Sequence, residues 1–188
     1  LLETVYGSKA GRLPSTESVM CARPALTIQK VAANGDLSRP YSTVRLWDAV
    51  DHFLQASNDL KKSDTYRYDL VDVMRQCLSD LSLPLQKQIT EAYLAGDNEK
   101  LQQAGEQFLT LIDDFDRLLG TRSTFLLGKW IKEARQWGTT EEEKDLYEWN
   151  ARTLVTVWGP NHSSAHLFEY SNRQWAGLMK RYYKPRWE

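Results

Sequence analysis

Apolar residues recur at every third or fourth position over most of the chain from Thr43 onward, and this period restricts the fold more than any other feature of the sequence. Glycine, proline and small polar residues interrupt the period at intervals. No stretch alternates strictly between apolar and polar residues, as a half-buried strand does. The sequence therefore predicts an all-α fold, a bundle of six or seven mostly antiparallel helices joined by short loops.

Seven stretches carry the period, and the one that ends near Gly120 is the clearest. Pro84 is suited to the first turn of a helix and predicts a new helix there, with a kink in one longer helix as the alternative. The predicted helices cover roughly residues 43–57, 65–81, 84–95, 98–119, 123–137, 141–158 and 168–185.

Small polar residues predict where several of these helices begin. Ser63 or Asp64 can cap the second helix. Gly96 ends the third helix, and the polar cluster that follows it caps the fourth. Thr140, followed three residues later by Glu143, has the pattern of a capping box.

Residues 1–42 differ from the rest, because they are rich in glycine, proline and serine and show no sustained period. We interpret them as an irregular lead-in, and residues 43–188 as the helical domain. Within the lead-in, residues 25–32 are compatible with an extended segment and with a short helix. The chain of 188 residues is long enough to bury about 70% of its unfolded surface in one core.

The charge balance excludes several classes of partner. The chain has 24 basic and 25 acidic residues and a formal net charge of −1, so neither nucleic acid nor an anionic membrane surface is an expected partner. No apolar run reaches the length of about 18 residues that marks a membrane span. The first residues lack the basic segment and long apolar stretch of a signal peptide.

The two cysteines, Cys21 and Cys77, have neither CxxC spacing nor histidines at metal-ligand spacing. A disulfide framework or a structural metal site is therefore not expected. Cys77 lies on an apolar stripe, which predicts a buried thiol.

Tryptophan is unevenly distributed, since six of the seven lie after residue 122. Tryptophan and tyrosine bury large faces but keep a polar edge, so an excess indicates either a core rich in aromatic rings or a surface that binds sugars or protein. Trp130 and Trp175 fall on helical stripes and are expected to pack between helices. Trp158 lies beside the longest irregular stretch of the helical domain and is the candidate ring for a binding site.

Trp158 and Tyr170 bracket a loop of glycine, proline and small polar residues. Loops of this kind often carry function on a rigid scaffold. Two rings that face one opening, with amides such as Asn161 and Asn172 nearby, form the kind of wall that binds a sugar. The alternative, that both rings only hold two helices together, is equally compatible with the sequence.

Three other residues near this loop are candidates for ligand contact. His162 and His166 carry ring nitrogens that can bond a hydroxylated ligand, although loop histidines are often only exposed surface. Arg152 lies near a helix C-terminus, where an ion pair with Glu148 or compensation of the helix dipole explains it as well as a ligand does.

Carboxylates are abundant, but none stands out as catalytic. Candidate pairs such as Asp113 with Asp116, Glu91 with Asp97, and the run 141–143 lie on polar helix faces or at capping positions. The short motifs of nucleotide, zinc-protease and serine-hydrolase sites are absent from the sequence.

Several strings together resemble the C-terminal helical domain of the α-N-acetylglucosaminidases, glycoside hydrolase family 89, over about residues 18–188. The most specific string is EYSNRQWAGL at residues 169–178. The others are YRYDLVD at 66–72, FLLGKW at 125–130, VWGP at 157–160 and YYKPRW at 182–187.

The resemblance implies a larger parent enzyme. In this family a (β/α)₈ barrel upstream supplies two glutamates for retaining hydrolysis of terminal α-linked N-acetylglucosamine, so no catalytic residue is expected in this chain. The helical domain would cover one side of the cleft, with Trp158 and Tyr170 contacting the substrate. Residues that would support the pocket or line its rim are Arg152, Asn161, His162, His166 and Asn172. The resemblance implies no cofactor and no metal.

The chain also departs from the family pattern. Glu169 and Ser171 stand where the family generally has aspartate and alanine, and the loop at residues 161–167 looks longer than usual. The family continues beyond the PRW motif, so we expect a fragment cut at both ends. An exported or lysosomal location is implied only by the resemblance, and the sequence leaves the oligomeric state open, a homo-oligomer included.

Overall fold

The structure of the chain is a computed structural model, and it describes residues 17–32, 35, 37–39, 41–159 and 168–188. Those ranges contain seven α-helices and no β-strand, which confirms the predicted all-α fold. No helix within them is long and apolar enough to cross a membrane. In chain order the helices are α1 (Thr43–Gln55), α2 (Ser57–Leu60), α3 (Asp64–Ala95), α4 (Asn98–Leu119), α5 (Leu127–Arg135), α6 (Glu141–Val155) and α7 (Lys184–Trp187).

The two longest helices, α3 and α4, form a hairpin that supplies much of the core. α3 ends at Gly96, whose φ of 67° is a left-handed conformation that glycine adopts without strain. Asp97 caps α4, since its Oδ1 accepts the backbone N–H of Lys100 at 3.1 Å. These termini confirm the predicted turn. The buried face of α4 consists of Ala104, Phe108, Leu111, Ile112, Phe115 and Leu119.

The predicted helix break at Pro84 is wrong, because α3 continues through this residue to Ala95. Proline lacks the backbone N–H that would bond the carbonyl of Asp80, and in a helix interior it costs about 3 kcal/mol. Leu83 and Leu85, on either side of the proline, both pack against the core. Tertiary packing along the hairpin therefore outweighs the local preference for a break.

The fifth helix begins later than the predicted start at Ser123. Residues Ser123–Phe125 form one 3₁₀ turn, and Leu126 is extended. The cause is an isolated parallel bridge to Ala176, in which Leu127 N–H donates to the Ala176 carbonyl at 3.1 Å and Ala176 N–H donates to the Phe125 carbonyl at 2.8 Å. This partner lies about fifty residues away, so the local period does not reveal it.

Helices α5 and α6 form a second, shorter hairpin. The predicted capping box is confirmed, because Thr140 accepts the backbone N–H of Glu143 while the Glu143 carboxylate bonds back to the cap. Trp130 Nε1 donates to the Ala151 carbonyl at 3.0 Å. The Trp130 ring lies 6.0 Å from the ring of Trp175, which confirms that these two tryptophans pack between elements.

The last helix also differs from the prediction, since it does not begin near Phe168. Residues 172–175 carry no helix, and helical structure starts at Leu178, after Gly177 with φ 88°. Asp116 Oδ1 accepts the backbone N–H groups of Gly177 at 2.6 Å and Lys180 at 3.1 Å, and so caps this start. A π-helical turn over Met179–Tyr183 leads into α7, which continues past Pro185 to Trp187.

The described part of the lead-in contributes to the core. Val19, Met20 and Cys21 form a 3₁₀ turn whose residues are fully buried. Trp187 Nε1 donates to the Met20 carbonyl at 3.1 Å, so this turn packs against the C-terminal helix. Residues 25–32 contain bends and neither of the two elements that the sequence left open.

The apolar face of α1 remains largely uncovered by the described residues. Val44 is 69% exposed and Leu54 is 51% exposed, whereas Val50 is buried. α1 ends at Gln55, slightly earlier than predicted, and the single turn α2 follows. The Tyr66 hydroxyl donates to the Phe53 carbonyl at 2.5 Å and attaches α1 to α3.

Candidate functional site

The structure brings the two predicted rings together. Trp158 lies three residues after α6, Tyr170 lies in the segment that leads to the last helix, and their ring centroids are 5.2 Å apart with the planes tilted by 55°. Tyr170 is 49% exposed, and Trp158 is half-buried. The pair therefore presents an accessible aromatic surface.

The backbone beneath the rings has an uncommon conformation. Trp158 has φ 71° and Glu169 has φ 53°, both left-handed. Such a conformation costs a residue with a side chain roughly 1–2 kcal/mol. Trp158 N–H donates to the Thr153 carbonyl at 2.7 Å, and Glu169 N–H donates to the Val157 carbonyl at 3.3 Å. The first bond fixes Trp158 to the end of α6, and the second joins the two segments that carry the rings.

A buried carboxylate lies next to Tyr170. The Glu169 side chain is 2% exposed, and its Oε1 accepts hydrogen bonds from Arg186 Nη1 and, at 3.1 Å, from the Tyr182 hydroxyl. Arg23 Nε approaches the same oxygen at 3.7 Å, and the Arg23 guanidinium lies 4.5 Å from the ring centroid of Phe168. Two cations therefore balance one buried anion.

Arg186 connects this carboxylate to the N-terminal segment. Its Nη2 donates to the carbonyls of Cys21 at 2.9 Å and Ala22 at 2.7 Å. Burial, reinforced by the Glu169 charge, raises the pKa of Tyr182 to about 12, so its hydroxyl remains a donor at neutral pH.

Burial also raises the pKa of the Cys21 thiol, which is therefore neutral and unreactive. Cys77 is buried as predicted.

Two further predicted residues lie within the described part of the chain. Asn172 is 8% exposed, and its backbone N–H donates to the Glu169 carbonyl at 3.1 Å, so it lies in the same buried turn. Arg152 forms an ion pair with Glu148, with Nη2 at 2.6 Å from Oε1, which confirms the pairing that the sequence offered. Asn161, His162 and His166 lie outside the described residues.

Arg152 also lines a cavity of about 630 Å³ between α5, α6 and the start of the last helix. Leu127, Ile131 and Ala176 give this cavity an apolar floor, and Trp158 and Tyr170 are not among its lining residues. The remaining charged side chains that line it are Lys132, Arg135, Lys144 and Arg181. Arg135 is bound to Asp145 and Glu148 at 2.6 and 2.9 Å, so part of this positive charge is already neutralised.

Several of the nominated carboxylates have structural partners. Asp113 pairs with Lys184 at 2.7 Å, and Asp116 caps the last helix. The side-chain hydrogen bond from Lys100 holds the pKa of Asp97 below its usual range, and Lys144 does the same for Glu141. A general acid needs a raised pKa, so Asp97 and Glu141 are unsuited to that role. In the described ranges no cluster of three or more His, Cys, Asp or Glu side chains could hold a metal ion.

Sequence reasoning missed the polar cluster next to Tyr170, which consists of Glu169, Arg186, Tyr182 and Arg23. Glu169 and Arg186 belong to strings that carry the family resemblance, and that was the available signal. The apolar period predicts one helix over residues 168–185 and gives no sign of a buried carboxylate at position 169. In the structure Glu169 has a left-handed backbone, and its side chain lies in the interior.

Comparison with known proteins identifies the family. A family model described as the α-N-acetylglucosaminidase (NAGLU) C-terminal domain matches residues 1–188. The chain belongs to this family. The human α-N-acetylglucosaminidase is 35% identical over 148 residues, which are 78% of this chain and 20% of the human protein.

Solved structures of the family have the same fold. A family 89 glycoside hydrolase from Clostridium perfringens, in complex with 2-acetamido-1,2-dideoxynojirimycin, superposes with a TM-score of 0.88 and 37% identity over 92% of this chain. A doubly substituted form of the Clostridium enzyme, in complex with its substrate GlcNAc-α-1,4-galactose, has the same TM-score and 36% identity. The chain spans about a fifth of these relatives, 20% of their length.

Proposed function

We propose that the full-length protein containing this chain is an exo-acting, retaining glycoside hydrolase that removes terminal α-linked N-acetylglucosamine from glycans. In this proposal the helices pack on an upstream (β/α)₈ catalytic barrel and form one wall of its active-site cleft. Trp158 and Tyr170 contact the sugar, and the catalytic carboxylates belong to the barrel. The 188 residues alone are expected to be inactive.

The observation that carries this proposal is the match of the family model to the whole chain. The name of the human relative and the substrate bound to the Clostridium relative both specify α-linked N-acetylglucosamine. The exposed ring pair supports the proposed contact, because sugars present apolar faces that stack on aromatic rings. The near-neutral net charge of −1 suits a neutral sugar end group.

The primary experiment measures release of N-acetylglucosamine from GlcNAc-α-1,4-galactose by the full-length protein, and in parallel by the 188 residues alone. We expect turnover with the full-length protein and none with the isolated chain. Absence of turnover in the full-length protein contradicts the proposed activity. Turnover by the isolated chain that disappears when one of its own carboxylates is changed contradicts the assignment of catalysis to the barrel.

The second experiment tests the ring pair. Trp158→Ala removes one ring and is expected to lower kcat/KM roughly tenfold or more, because a buried aromatic contact with the sugar is lost. Tyr170→Phe removes only a hydroxyl and should have a smaller effect in the same direction. The matched control is Trp137→Ala, since Trp137 is 81% exposed and lies at the end of the α5–α6 hairpin. If Trp158→Ala and Tyr170→Phe mainly lower the melting temperature, the rings only hold helices together.

A second candidate function, a free-standing helical module that binds carbohydrate or protein, is favoured by a different surface. A groove of about 390 Å³ between α5 and α6 is lined by Trp130, Trp137, Tyr147 and Leu154, with Asn150 as a polar group. Under this function Trp137→Ala abolishes ligand binding by the isolated chain, measured by calorimetry with N-acetylglucosamine oligosaccharides. A reading frame that continues upstream into a barrel would remove this candidate.

A further inference from the structure

Glu169 and Tyr170 are adjacent in sequence but differ sharply in environment. The Glu169 side chain is 2% exposed, whereas Tyr170 is 49% exposed. The left-handed φ of 53° at Glu169 accounts for the difference, because it turns the chain so that a buried carboxylate is followed directly by an exposed ring. Burial of a carboxylate is unfavourable unless cations and hydrogen-bond donors surround it. Because Tyr170 directly follows Glu169, its position depends on the Glu169 carboxylate, which must lie where cations and hydrogen-bond donors surround it.

The groups that specify this location come from distant parts of the chain. Arg186 and Tyr182 lie in the last helical segment, and Arg23 lies in the N-terminal segment. Arg186 is itself held in place, since its second terminal nitrogen donates to two backbone carbonyls, those of Cys21 and Ala22. A shift of the carboxylate would therefore break its hydrogen bonds to the last helical segment and weaken its ion pair with the N-terminal segment.

The backbone of Glu169 also links it to Trp158, the second ring of the pair. Its N–H donates to the Val157 carbonyl at 3.3 Å, and Val157 directly precedes Trp158. Its carbonyl accepts the N–H of Asn172 at 3.1 Å, which closes a turn around Tyr170. Glu169 thus connects the charged cluster to both members of the ring pair through its backbone.

We propose that Glu169 is a positioning residue for Trp158 and Tyr170, and that its buried carboxylate sets the geometry with which the ring pair receives the terminal sugar. This inference rests on the proposed function for its kinetic consequence. Its structural part, that the carboxylate holds the two rings in place, is independent of any activity. Glu169 takes no part in bond cleavage, so its contribution is to substrate binding.

The kinetic test compares three substitutions in the full-length protein. Glu169→Gln keeps the shape but loses the charge that holds Arg186, and we expect KM to rise at least tenfold while kcat changes less than threefold, since the loss is of uniform binding. Glu169→Asp keeps the charge and should return KM to within threefold of the wild type. Tyr182→Phe removes one donor to the same oxygen and should raise KM by a smaller factor than Glu169→Gln.

A second buried ion pair supplies a matched control. Asp80 and Arg39 form a pair whose side chains are 4% and 10% exposed, and the Tyr41 hydroxyl also donates to Asp80 at 2.9 Å. This carboxylate has the same kind of partners as Glu169 but lies on α3, outside the ring pair. Asp80→Asn is expected to lower the melting temperature as Glu169→Gln does and to leave KM unchanged.

Hydrogen exchange provides a readout without activity. In the wild type the amides of Trp158 and Glu169 are both hydrogen-bonded, and Glu169→Gln should accelerate exchange at both, whereas Asp80→Asn should not. Unchanged exchange at these amides in Glu169→Gln overturns the inference, whether or not the protein hydrolyses the substrate. Equal KM values for wild type and Glu169→Gln in an active enzyme also overturn it. If the wild type is inactive but the exchange pattern is as expected, the positioning role is supported and the proposed function fails.

Discussion

The α3–α4 hairpin and the closing region, by which we mean residues 17–23 together with 168–188, are built on different principles. The hairpin is formed by neighbours in sequence that bury an apolar stripe, with Phe108, Ile112 and Phe115 at most 1% exposed. The closing region also buries apolar residues such as Met20 and Tyr183, but it adds hydrogen bonds and ion pairs between residues more than 140 positions apart, such as Arg186 with Cys21 and Arg23 with Glu169. Loss of one partner from a buried polar cluster leaves the opposite charge buried and unpaired, so the cluster depends on each member. Tyr170, one ring of the candidate site, lies in the closing region, and the Trp158 ring lies 5.2 Å from it.

The largest effect is expected from Arg186→Ala, which leaves the Glu169 carboxylate buried without its main partner. Removing one member of a buried pair costs about 3–5 kcal/mol. The measurement is the free energy of opening from native-state hydrogen exchange of the closing region in the full-length protein. Arg181→Ala is the control, because Arg181 is exposed and lies in the π-helical turn that directly precedes α7, the helix of Arg186. Similar losses for both substitutions would mean that the closing region does not depend on the Glu169 cluster.

Two glycine-to-alanine substitutions, one in each region, are expected to change the free energy of unfolding in opposite directions. Gly177 has φ 88°, so Gly177→Ala forces a left-handed alanine before the last helix and should destabilise by about 1–2 kcal/mol. Gly105 lies within α4 with no heavy atom within 4 Å of an added Cβ. Gly105→Ala should therefore stabilise by about 0.5–1 kcal/mol. Opening free energies of α4 and of residues 178–187 provide the measurement, and changes of the same sign would contradict the prediction.

The smallest effect concerns alkaline pH. Burial and the Glu169 charge raise the pKa of Tyr182 to about 12, above the value near 10 of an unfolded tyrosine. The stability that the neutral hydroxyl contributes is therefore complete below pH 10 and is lost as pH rises toward 12. Tyr182→Phe should be less stable than the wild type at pH 9, and the gap should narrow between pH 10 and 12. Melting temperatures of both proteins over this range test it, and a constant gap would exclude the titration of Tyr182.

The hairpins were predictable because each of their determinants is local. Ser63, Gly96 and Thr140 act on residues within one turn, and the apolar stripe of α4 is visible in its own sequence. Where the local rule failed, a distant partner was responsible. Pro84 did not break α3 because the helix packs on α4 along its length, and α5 started late because Leu126 pairs with Ala176.

The candidate site was predictable in part. The spacing of Trp158 and Tyr170 around a loop was enough to expect that the rings meet, and their centroids lie 5.2 Å apart. The polar cluster around Glu169 was not predictable from the period, because its geometry depends on a left-handed residue within a stretch that the period predicts as helix. A positive φ at a residue other than glycine leaves no periodic signal in a sequence. The contacts of Glu169 with Arg23 and Arg186 depend on the tertiary fold and are not visible in the local sequence.

The burial of Val19–Cys21 against the last helix affects the order in which the chain folds during synthesis. The carbonyls of Met20, Cys21 and Ala22 receive their donors from residues made 164 to 167 positions later. The α3–α4 hairpin can form as soon as it leaves the ribosome, but these early apolar residues must wait for Arg186 and Trp187. During that interval Val19, Met20 and Cys21 lack their native cover, and transiently exposed apolar surface of this kind favours aggregation.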